Sequence, residues 1–168
     1  MKNIKIKFIF LIVMTLLMTS LSVLASPEKY GPEGKRLGVG ISLGEPMEAT
    51  VKGYIWDNLA LQGGFGWSLV EEGLVADVDA TYDLFDLSSG SGQSSLPVFV
   101  GLGFKLGFDQ GGADDGKTHA VFRAPIGVSL QLKDDPLEFF IQAAPGIEFN
   151  PQTEFDITAG IGARYYFF

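Results

Sequence analysis

The sequence predicts an all-β fold, an eight-stranded antiparallel up-and-down transmembrane β-barrel. Large apolar residues alternate with small or polar residues along most of the chain, and a period of two is the signal of a β-strand. The alternation divides into eight segments, most of them of roughly 9–13 residues, an even number and a length that suit strands tilted ~45° across a bilayer. Strands of soluble proteins are usually shorter, at ~5–6 residues. Aromatic residues gather near the segment ends, where a bilayer would have its interfaces.

The amino-terminal residues 1–25 are typical of a secretory signal peptide. Three lysines precede an apolar run over residues 8–17, and residues 23–25 form a small-residue cleavage site. Residues 26–35 contain two prolines and two glycines without a periodic pattern, so we expect a short periplasmic lead-in. Residues 36–168 are predicted to form the barrel domain in the cell outer membrane.

Composition excludes several classes of protein. The chain has 12 basic and 20 acidic residues, and removal of the three lysines of the signal peptide changes its net charge from −8 to −11. Nucleic acid is therefore not expected as a partner, because phosphate binding needs a basic surface. The chain has no cysteine, so it forms no disulfide and cannot carry the acyl anchor of a lipoprotein. After the signal peptide no apolar run approaches the ~18–20 residues of a membrane helix.

The eight predicted strands are separated by turn and loop signals. They cover residues 37–43, 47–56, 59–69, 74–84, 96–108, 120–132, 137–149 and 155–167. A tight turn is predicted at Asp57-Asn58, a Ser/Gly linker over 86–95, an acidic Gly-rich loop over 109–117 and a turn over 133–136. The outer connections are all short, which disfavours a receptor or adhesin with long loops.

The residues between the large apolar ones form the second face of each strand, and their composition distinguishes a membrane barrel from a soluble β-sandwich. This face carries mostly Gly, Ala, Ser and Thr with isolated charges, whereas a solvated sandwich face would carry many long polar side chains. Small residues suit the narrow interior of an eight-stranded barrel. We therefore expect the apolar face, including Val100 and Val128 in mid-strand, to meet lipid. Gly101 belongs to the lumen face, where a serine is expected to cost much less than an arginine at either valine.

Aromatic placement predicts two girdles. With the amino terminus in the periplasm, one set falls near the outer strand ends: Trp67, Phe104, Phe108, Phe122, Phe149 and Phe155. A second set falls near the periplasmic ends: Tyr82, Phe139, Tyr165 and Phe167, with Trp56 at a turn. Aromatic belts at both interfaces are typical of membrane proteins.

The carboxyl end is the most specific motif. The last strand finishes in Tyr165-Tyr166-Phe167-Phe168, and alternation makes Phe167 the lipid-facing terminal aromatic, with Phe168 one residue beyond it. This resembles the terminal strand signal of outer-membrane β-barrel proteins, and the layout of residues 36–168 is similar to the OmpX-like and OmpA-transmembrane-domain types of small outer-membrane barrel. The resemblance implies that Tyr165, Phe167 and Phe168 are the assembly signal. It also implies outer-membrane lipids, lipopolysaccharide and the barrel-assembly machinery as partners.

No catalytic, cofactor or metal site is predicted. Two types of eight-stranded barrel enzyme act on lipid A, and both would use a serine and a histidine. The deacylase type resembles a His-x-Ser pattern on one strand, but here the residue two beyond His119 is Val121. The nearest serine on that strand, Ser129, lies over 30 Å away at ~3.3 Å per residue, beyond hydrogen-bond reach. The acidic loop over 109–117 lacks the ordered spacing of a calcium loop.

Charged residues on the lumen face predict a plug. The residues concerned are Lys52, Asp77, Asp79, Asp83, Lys105, Arg123, Glu138, Glu148, Asp156 and Arg164. Folding the fourth and fifth strands together sets Lys105 roughly opposite Asp77, with Asp79 diagonal to it, and an ion pair between Lys105 and Asp77 is expected. The first functional hypothesis is therefore a structural or surface-interaction barrel with a plugged lumen. The alternatives are a narrow pore for small solutes and, less favoured, a lipid A-modifying enzyme.

Overall fold

The computed structural model describes residues 30–70, 72–88, 94–109, 118–151 and 153–168. The predicted signal peptide, the first part of the lead-in and most of the acidic loop over 109–117 lie outside the described residues.

The fold is a closed antiparallel β-barrel, which confirms the predicted fold class. The strands are β1 (Leu37–Glu45), β2 (Met47–Tyr54), β3 (Leu59–Ser68), β4 (Gly73–Asp86), β5 (Ser94–Ser95), β6 (Pro97–Asp109), β7 (Thr118–Arg123), β8 (Ile126–Leu132), β9 (Leu137–Asn150) and β10 (Glu154–Tyr166). In the described part of the chain these make eight barrel strands, because β5 and β6 are one strand broken at Leu96, and β7 and β8 are one strand broken at Ala124-Pro125. Pairing of β1 with β10, for example Val39 with Tyr165, closes the barrel.

Strand direction gives the barrel two ends. The terminal end holds Leu37 and Tyr166, which begin β1 and finish β10, together with the turns after β2 and β8. The distal end holds the connections after β1, β3 and β9. The charged lumen residues are distributed between these two ends.

Two of the differences between the predicted and the observed strand boundaries have a clear local cause. The segment expected over 120–132 is interrupted because Pro125 has no N–H to donate; the Ala124 N–H bonds instead to the Pro145 carbonyl at 2.9 Å, and the Pro125 carbonyl accepts from the Gly101 N–H at 2.7 Å. The second strand ends at Tyr54 rather than at residue 56. Ile55 and Trp56 belong to the tight turn around Asp57-Asn58, where their N–H groups bond to the Leu59 carbonyl.

The barrel is apolar outside and polar inside. Strand residues such as Ile141, Ile157 and Ile161 leave 57–60% of their surface exposed, while Lys52 and Glu138 are fully buried. A soluble fold has the reverse arrangement, because burying charges away from water is costly unless they are paired. Val100 and Val128 are half-buried on the outer face.

Several inward glycines allow close approach of neighbouring strands. A Cβ on Gly40 would lie 1.8 Å from the Ala163 carbonyl oxygen, and one on Gly66 would lie 1.8 Å from that of Met47. A Cβ on Gly101 would lie 2.6 Å from the Ala80 carbonyl oxygen. A serine at Gly101 would therefore require the neighbouring backbone to shift, and its smaller cost relative to an arginine on the outer face stays a prediction.

The described part of the lead-in is folded. Pro32–Gly34 form one short 3₁₀ turn, and Gly31 and Pro32 are buried against the terminal end of the barrel. Across the described ranges, helices are too short and too polar to cross a membrane.

Candidate functional site

The candidate site is the polar interior of the barrel. All ten lumen charges named from the sequence lie on its inner wall. Six are at most 2% exposed, namely Lys52, Asp79, Lys105, Arg123, Glu138 and Arg164. Asp83 is 9% exposed, and the side chains of Asp77, Glu148 and Asp156 are 4%, 17% and 18% exposed. Strand alternation brings them there, because successive side chains point to opposite faces.

Glu138 is the centre of the terminal half of the lumen. Its carboxylate lies 3.3 Å from the Lys52 ammonium and 3.6 Å from the Arg164 guanidinium, and it accepts a 2.5 Å hydrogen bond from the Tyr166 hydroxyl. Two basic groups and a phenol therefore surround one carboxylate. We call Glu138, Lys52, Arg164 and Tyr166 the terminal hub.

Aromatic rings pack against the cations of the terminal hub. The Lys52 ammonium lies 4.8 Å from the ring centre of Tyr54 and 5.2 Å from that of Phe99. The Arg164 guanidinium lies 3.9 Å from the ring centre of Phe140. Cation–π contacts of this kind stabilise buried positive charge, and the rings also fill space inside a narrow barrel.

Arg123 organises the distal half. Its Nε and Nη2 donate to the two carboxylate oxygens of Asp79 at 2.8 and 2.7 Å, and Nη2 also lies 2.8 Å from Asp77 Oδ1. Gly103 lies between Asp79 and Arg123 in the sheet, as the neighbour of both. A Cβ on Gly103 would lie 2.1 Å from Asp79 Oδ1, so the absence of a side chain at Gly103 leaves the space that the Asp79 carboxylate occupies.

Gln62 connects the two halves. Its amide nitrogen donates to Asp79 at 3.0 Å, and its oxygen accepts from the Arg164 guanidinium at 3.4 Å. Hydrogen bonds and ion pairs therefore run without a break from Tyr166 through Glu138, Arg164, Gln62 and Asp79 to Arg123.

The pairing of Lys105 differs from the prediction. Asp77 is its direct cross-strand neighbour, as expected. The Lys105 ammonium, however, lies 2.9 Å from Asp156 Oδ1 on β10, and Asp77 pairs with Arg123. The expected ion pair between Lys105 and Asp77 was wrong, because the forked guanidinium can serve Asp77 and Asp79 together.

Tyr54, Gln131 and Asp83 form a further polar contact at the terminal end. The Tyr54 hydroxyl donates to Asp83 Oδ2 at 2.9 Å and accepts from the Gln131 amide at 2.9 Å. The bond to Tyr54 satisfies one oxygen of the Asp83 carboxylate. Close to the distal end, His119 Nδ1 lies 2.7 Å from Glu148 Oε1, so the one histidine of the chain is part of an acid–imidazole pair.

Sequence reasoning missed the uncharged members of this network and one acid. Tyr54, Gln62 and Tyr166 lie at inward-facing positions of their strands. That parity, applied to neutral polar residues as well as to charged ones, is the signal that identifies them. Glu48 lies on the most weakly alternating strand. Its Oε2 and Asp77 Oδ2 converge over Gly64, at 2.6 and 2.9 Å from the position that a Cβ would take there.

Carboxylates outnumber basic groups on this wall. Besides six predicted acids and four predicted bases, Glu48 adds a seventh acid. Among the residues that the structure describes, three buried carboxylate oxygens have no hydrogen-bond partner: Glu48 Oε1, Asp77 Oδ2 and Asp156 Oδ2. Within the described ranges, no three acidic or histidine side chains are arranged to hold a metal ion.

The predicted assembly residues lie at the terminal end, outside the barrel. Tyr165 and Phe167 are 47% and 51% exposed, and their rings pack edge to face at 5.0 Å. The Phe167 N–H bonds to the Leu37 carbonyl at 2.9 Å, and the Phe168 carbonyl accepts from the Leu37 N–H at 3.1 Å. Pairing with the first strand therefore continues to the last residue.

The chain is similar to a solved bacterial barrel, the N-terminal β-barrel domain of OprF from Pseudomonas aeruginosa. The two are 16% identical, with a TM-score of 0.52, and the match covers 82% of this chain and 99% of that domain. No protein-family model and no curated protein sequence matches the chain. At this level of identity the shared feature is the fold, a small closed β-barrel.

Proposed function

We propose that the protein is an integral barrel of the outer membrane, with a structural or surface-interaction role and a lumen plugged by its own side chains. The observation that carries the proposal is the inverted distribution of polarity. The outer wall is a continuous band of exposed apolar residues, and a connected network of charges fills the interior.

The outer band fits a bilayer in height and composition. Along β10 the outward residues run from Phe155 through Ile157 and Ile161 to Tyr165. At ~3.3 Å per residue and a tilt of ~45°, such a strand spans about the thickness of a hydrocarbon core. Aromatic side chains lie at both ends, with Phe155 73% exposed at the distal end and Trp56 68% exposed at the terminal end. Outer-membrane lipids and lipopolysaccharide are the proposed surroundings.

The polar network inside the barrel supports the proposed plug. Two guanidinium groups, Arg123 and Arg164, lie inside the barrel together with the rings of Phe99 and Phe140. Each guanidinium is held by at least one carboxylate, so moving it aside would break charge-assisted bonds. This arrangement supports a closed lumen with a stabilising role for the charges.

A narrow, cation-preferring path is the second candidate. The observation that favours it is the set of buried carboxylate oxygens without partners, on Glu48, Asp77 and Asp156. All three lie in the distal half of the lumen, where water or a small cation would satisfy them.

Enzymatic action on lipid A is the least favoured candidate. It would require a nucleophile within hydrogen-bond reach of His119. Ser129, on the same barrel strand, is buried at the opposite end of the lumen. Lipid A mass spectra of cells with and without the protein test this candidate, and a new or missing acyl chain would support it.

Planar-bilayer conductance separates the plugged barrel from the pore. The refolded protein is expected to insert without stable current steps. A matched Arg123→Ser/Arg164→Ser variant, which removes both guanidiniums from the lumen, serves as the control and is expected to conduct. Stable steps from the unchanged protein, with a preference for cations, would overturn the plug in favour of the pore.

A further inference from the structure

Residues Tyr30–Lys35, which we call the strap, lie across the terminal mouth of the barrel. The strap turns at Pro32–Gly34, where the Gly34 N–H bonds to the Gly31 carbonyl at 2.9 Å and the Lys35 N–H bonds to the Pro32 carbonyl at 3.0 Å. Gly31 and Pro32 are buried although they precede the first strand. Their burial shows that the strap packs on the barrel rather than extending into solvent.

The deepest contact of the strap is with the terminal hub. A Cβ on Gly31 would lie 2.6 Å from Tyr166 Cε1 and 2.9 Å from the Lys35 carbonyl oxygen. Glycine is therefore the residue that allows this close approach to the Tyr166 ring. The same ring is 0% exposed, and its hydroxyl bonds to Glu138.

Tyr30 fixes the start of the strap. Its ring packs against the buried cluster of Tyr54, Ala60 and Tyr166. The Arg36 guanidinium lies 3.9 Å from the ring centre and also donates a hydrogen bond to the Tyr30 hydroxyl. Stacking and hydrogen bonding together hold a side chain that would otherwise be free to move.

We propose that the strap is a lid that seals the terminal mouth and keeps water from the terminal hub. The Lys52–Glu138 pair has no exposed surface on either side chain. A charge pair in a dry, low-dielectric site attracts more strongly than one in water, so the lid strengthens the plug by excluding water from its terminal side.

The strap does not pack equally closely along its whole length. A cleft runs between the strap and the neighbouring barrel rim, with residues 30–34 on one side and Ser95 and residues 131–133 on the other. The strap is therefore anchored through Tyr30 and Gly31 and less tightly packed near Gly34, where no atom lies within 4 Å of the position of a Cβ.

Thiol labelling tests the lid directly, since the chain has no cysteine of its own. Ala60→Cys places a small thiol in the cluster beneath the strap, where Ala60 is 1% exposed. Asp134→Cys places a reference thiol in an exposed turn at the same end. A charged, membrane-impermeant thiol reagent is applied to the full chain, folded in detergent and then in vesicles.

We expect slow labelling of Ala60→Cys and fast labelling of Asp134→Cys. Adding Gly31→Leu, which must displace the strap from the Tyr166 ring, should speed labelling at Ala60→Cys about tenfold or more, because labelling then no longer waits for local opening. Glu33→Gln, on the exposed side of the strap, is the matched control and should leave both rates unchanged.

Two results would overturn the lid. One is fast labelling of Ala60→Cys in the otherwise unchanged protein. The other is an unchanged slow rate after both Gly31→Leu and deletion of residues 30–34, which would mean that the barrel wall alone protects the site. Fast labelling of Ala60→Cys in a barrel that passes no current would overturn the lid and leave the plug standing, so failure of the lid can be told apart from failure of the plug.

Discussion

The guanidinium of Arg123 holds the carboxylate of Asp79 by two parallel hydrogen bonds of 2.8 and 2.7 Å inside the barrel. The two side chains are 2% and 0% exposed. This fork-to-fork geometry is the strongest form of a charge-assisted hydrogen bond. The pair links β4 to β7 across Gly103 of the intervening strand β6, whose lack of a side chain leaves room for the carboxylate.

Removal of Arg123 should therefore destabilise the barrel strongly. Arg123→Leu leaves Asp77 and Asp79 buried without their cation, and breaking a buried pair in this way typically costs ~3–5 kcal/mol. Urea titration of the protein refolded into lipid vesicles measures the loss. Arg123→Lys is the matched control, because it keeps the charge and loses only the fork, and we expect a smaller cost. Equal stability of all three proteins would mean that water already solvates these acids.

Double-mutant cycles should assign the partner of Lys105. A coupling free energy within the usual range of ~0.5–3 kcal/mol is expected between Lys105→Met and Asp156→Leu, whose side chains are in direct contact at 2.9 Å. Lys105→Met and Asp77→Leu should couple more weakly, although the two residues face each other across the strands. The opposite order of coupling would contradict the network described above.

The sequence predicts the wall of this barrel far better than its interior contacts. Alternation identifies which side chains point inward, and the Asp77 and Lys105 register follows from folding two strands about one turn. Which carboxylate receives which cation depends on positions across the lumen. Asp156 on β10 reaches Lys105 on β6 past the two intervening strands β7 and β9, a contact between distant parts of the chain that pattern reasoning does not supply.

Local chemistry explains the other differences. The break at Pro125 is visible in the sequence as a residue that cannot donate, yet continued alternation on both sides concealed it. Alternation places Tyr166 on the inner face of the last strand, but it does not reveal that the Tyr166 hydroxyl bonds to Glu138. The packing of Gly31 against Tyr166 has no periodic signature at all, because it depends on a single missing Cβ.

The cost of an arginine on the outer face of one strand should depend on how deep in the bilayer that position lies. Ile161 lies mid-strand on β10 and Phe155 lies near its distal end, and both are well exposed at 57% and 73%. Ile161→Arg should cost ~2–4 kcal/mol as at a bilayer midplane, and Phe155→Arg ~0–1 kcal/mol as at an interface. Refolding titrations in lipid vesicles measure both values. Equal, small costs at the two positions are the outcome expected of a water-exposed surface, and they would contradict a lipid-facing wall.

The terminal aromatics should matter for assembly more than other exposed aromatics do. Phe167→Ala/Phe168→Ala is expected to lower the amount of folded barrel in the outer membrane, because the proposed assembly signal is lost. Phe155→Ala removes an aromatic of similar exposure at the other end of the same strand and should have little effect. Quantitative immunoblots of outer-membrane fractions under strong expression compare the variants, and equal levels would count against the proposed signal.

Cell fractionation measures whether the apolar wall of the barrel faces lipid. We expect the protein to be recovered in the outer-membrane fraction, to resist extraction by alkaline carbonate, and to migrate differently on a gel before and after boiling. Recovery as a soluble, monomeric periplasmic protein with no such shift would contradict a lipid-facing wall.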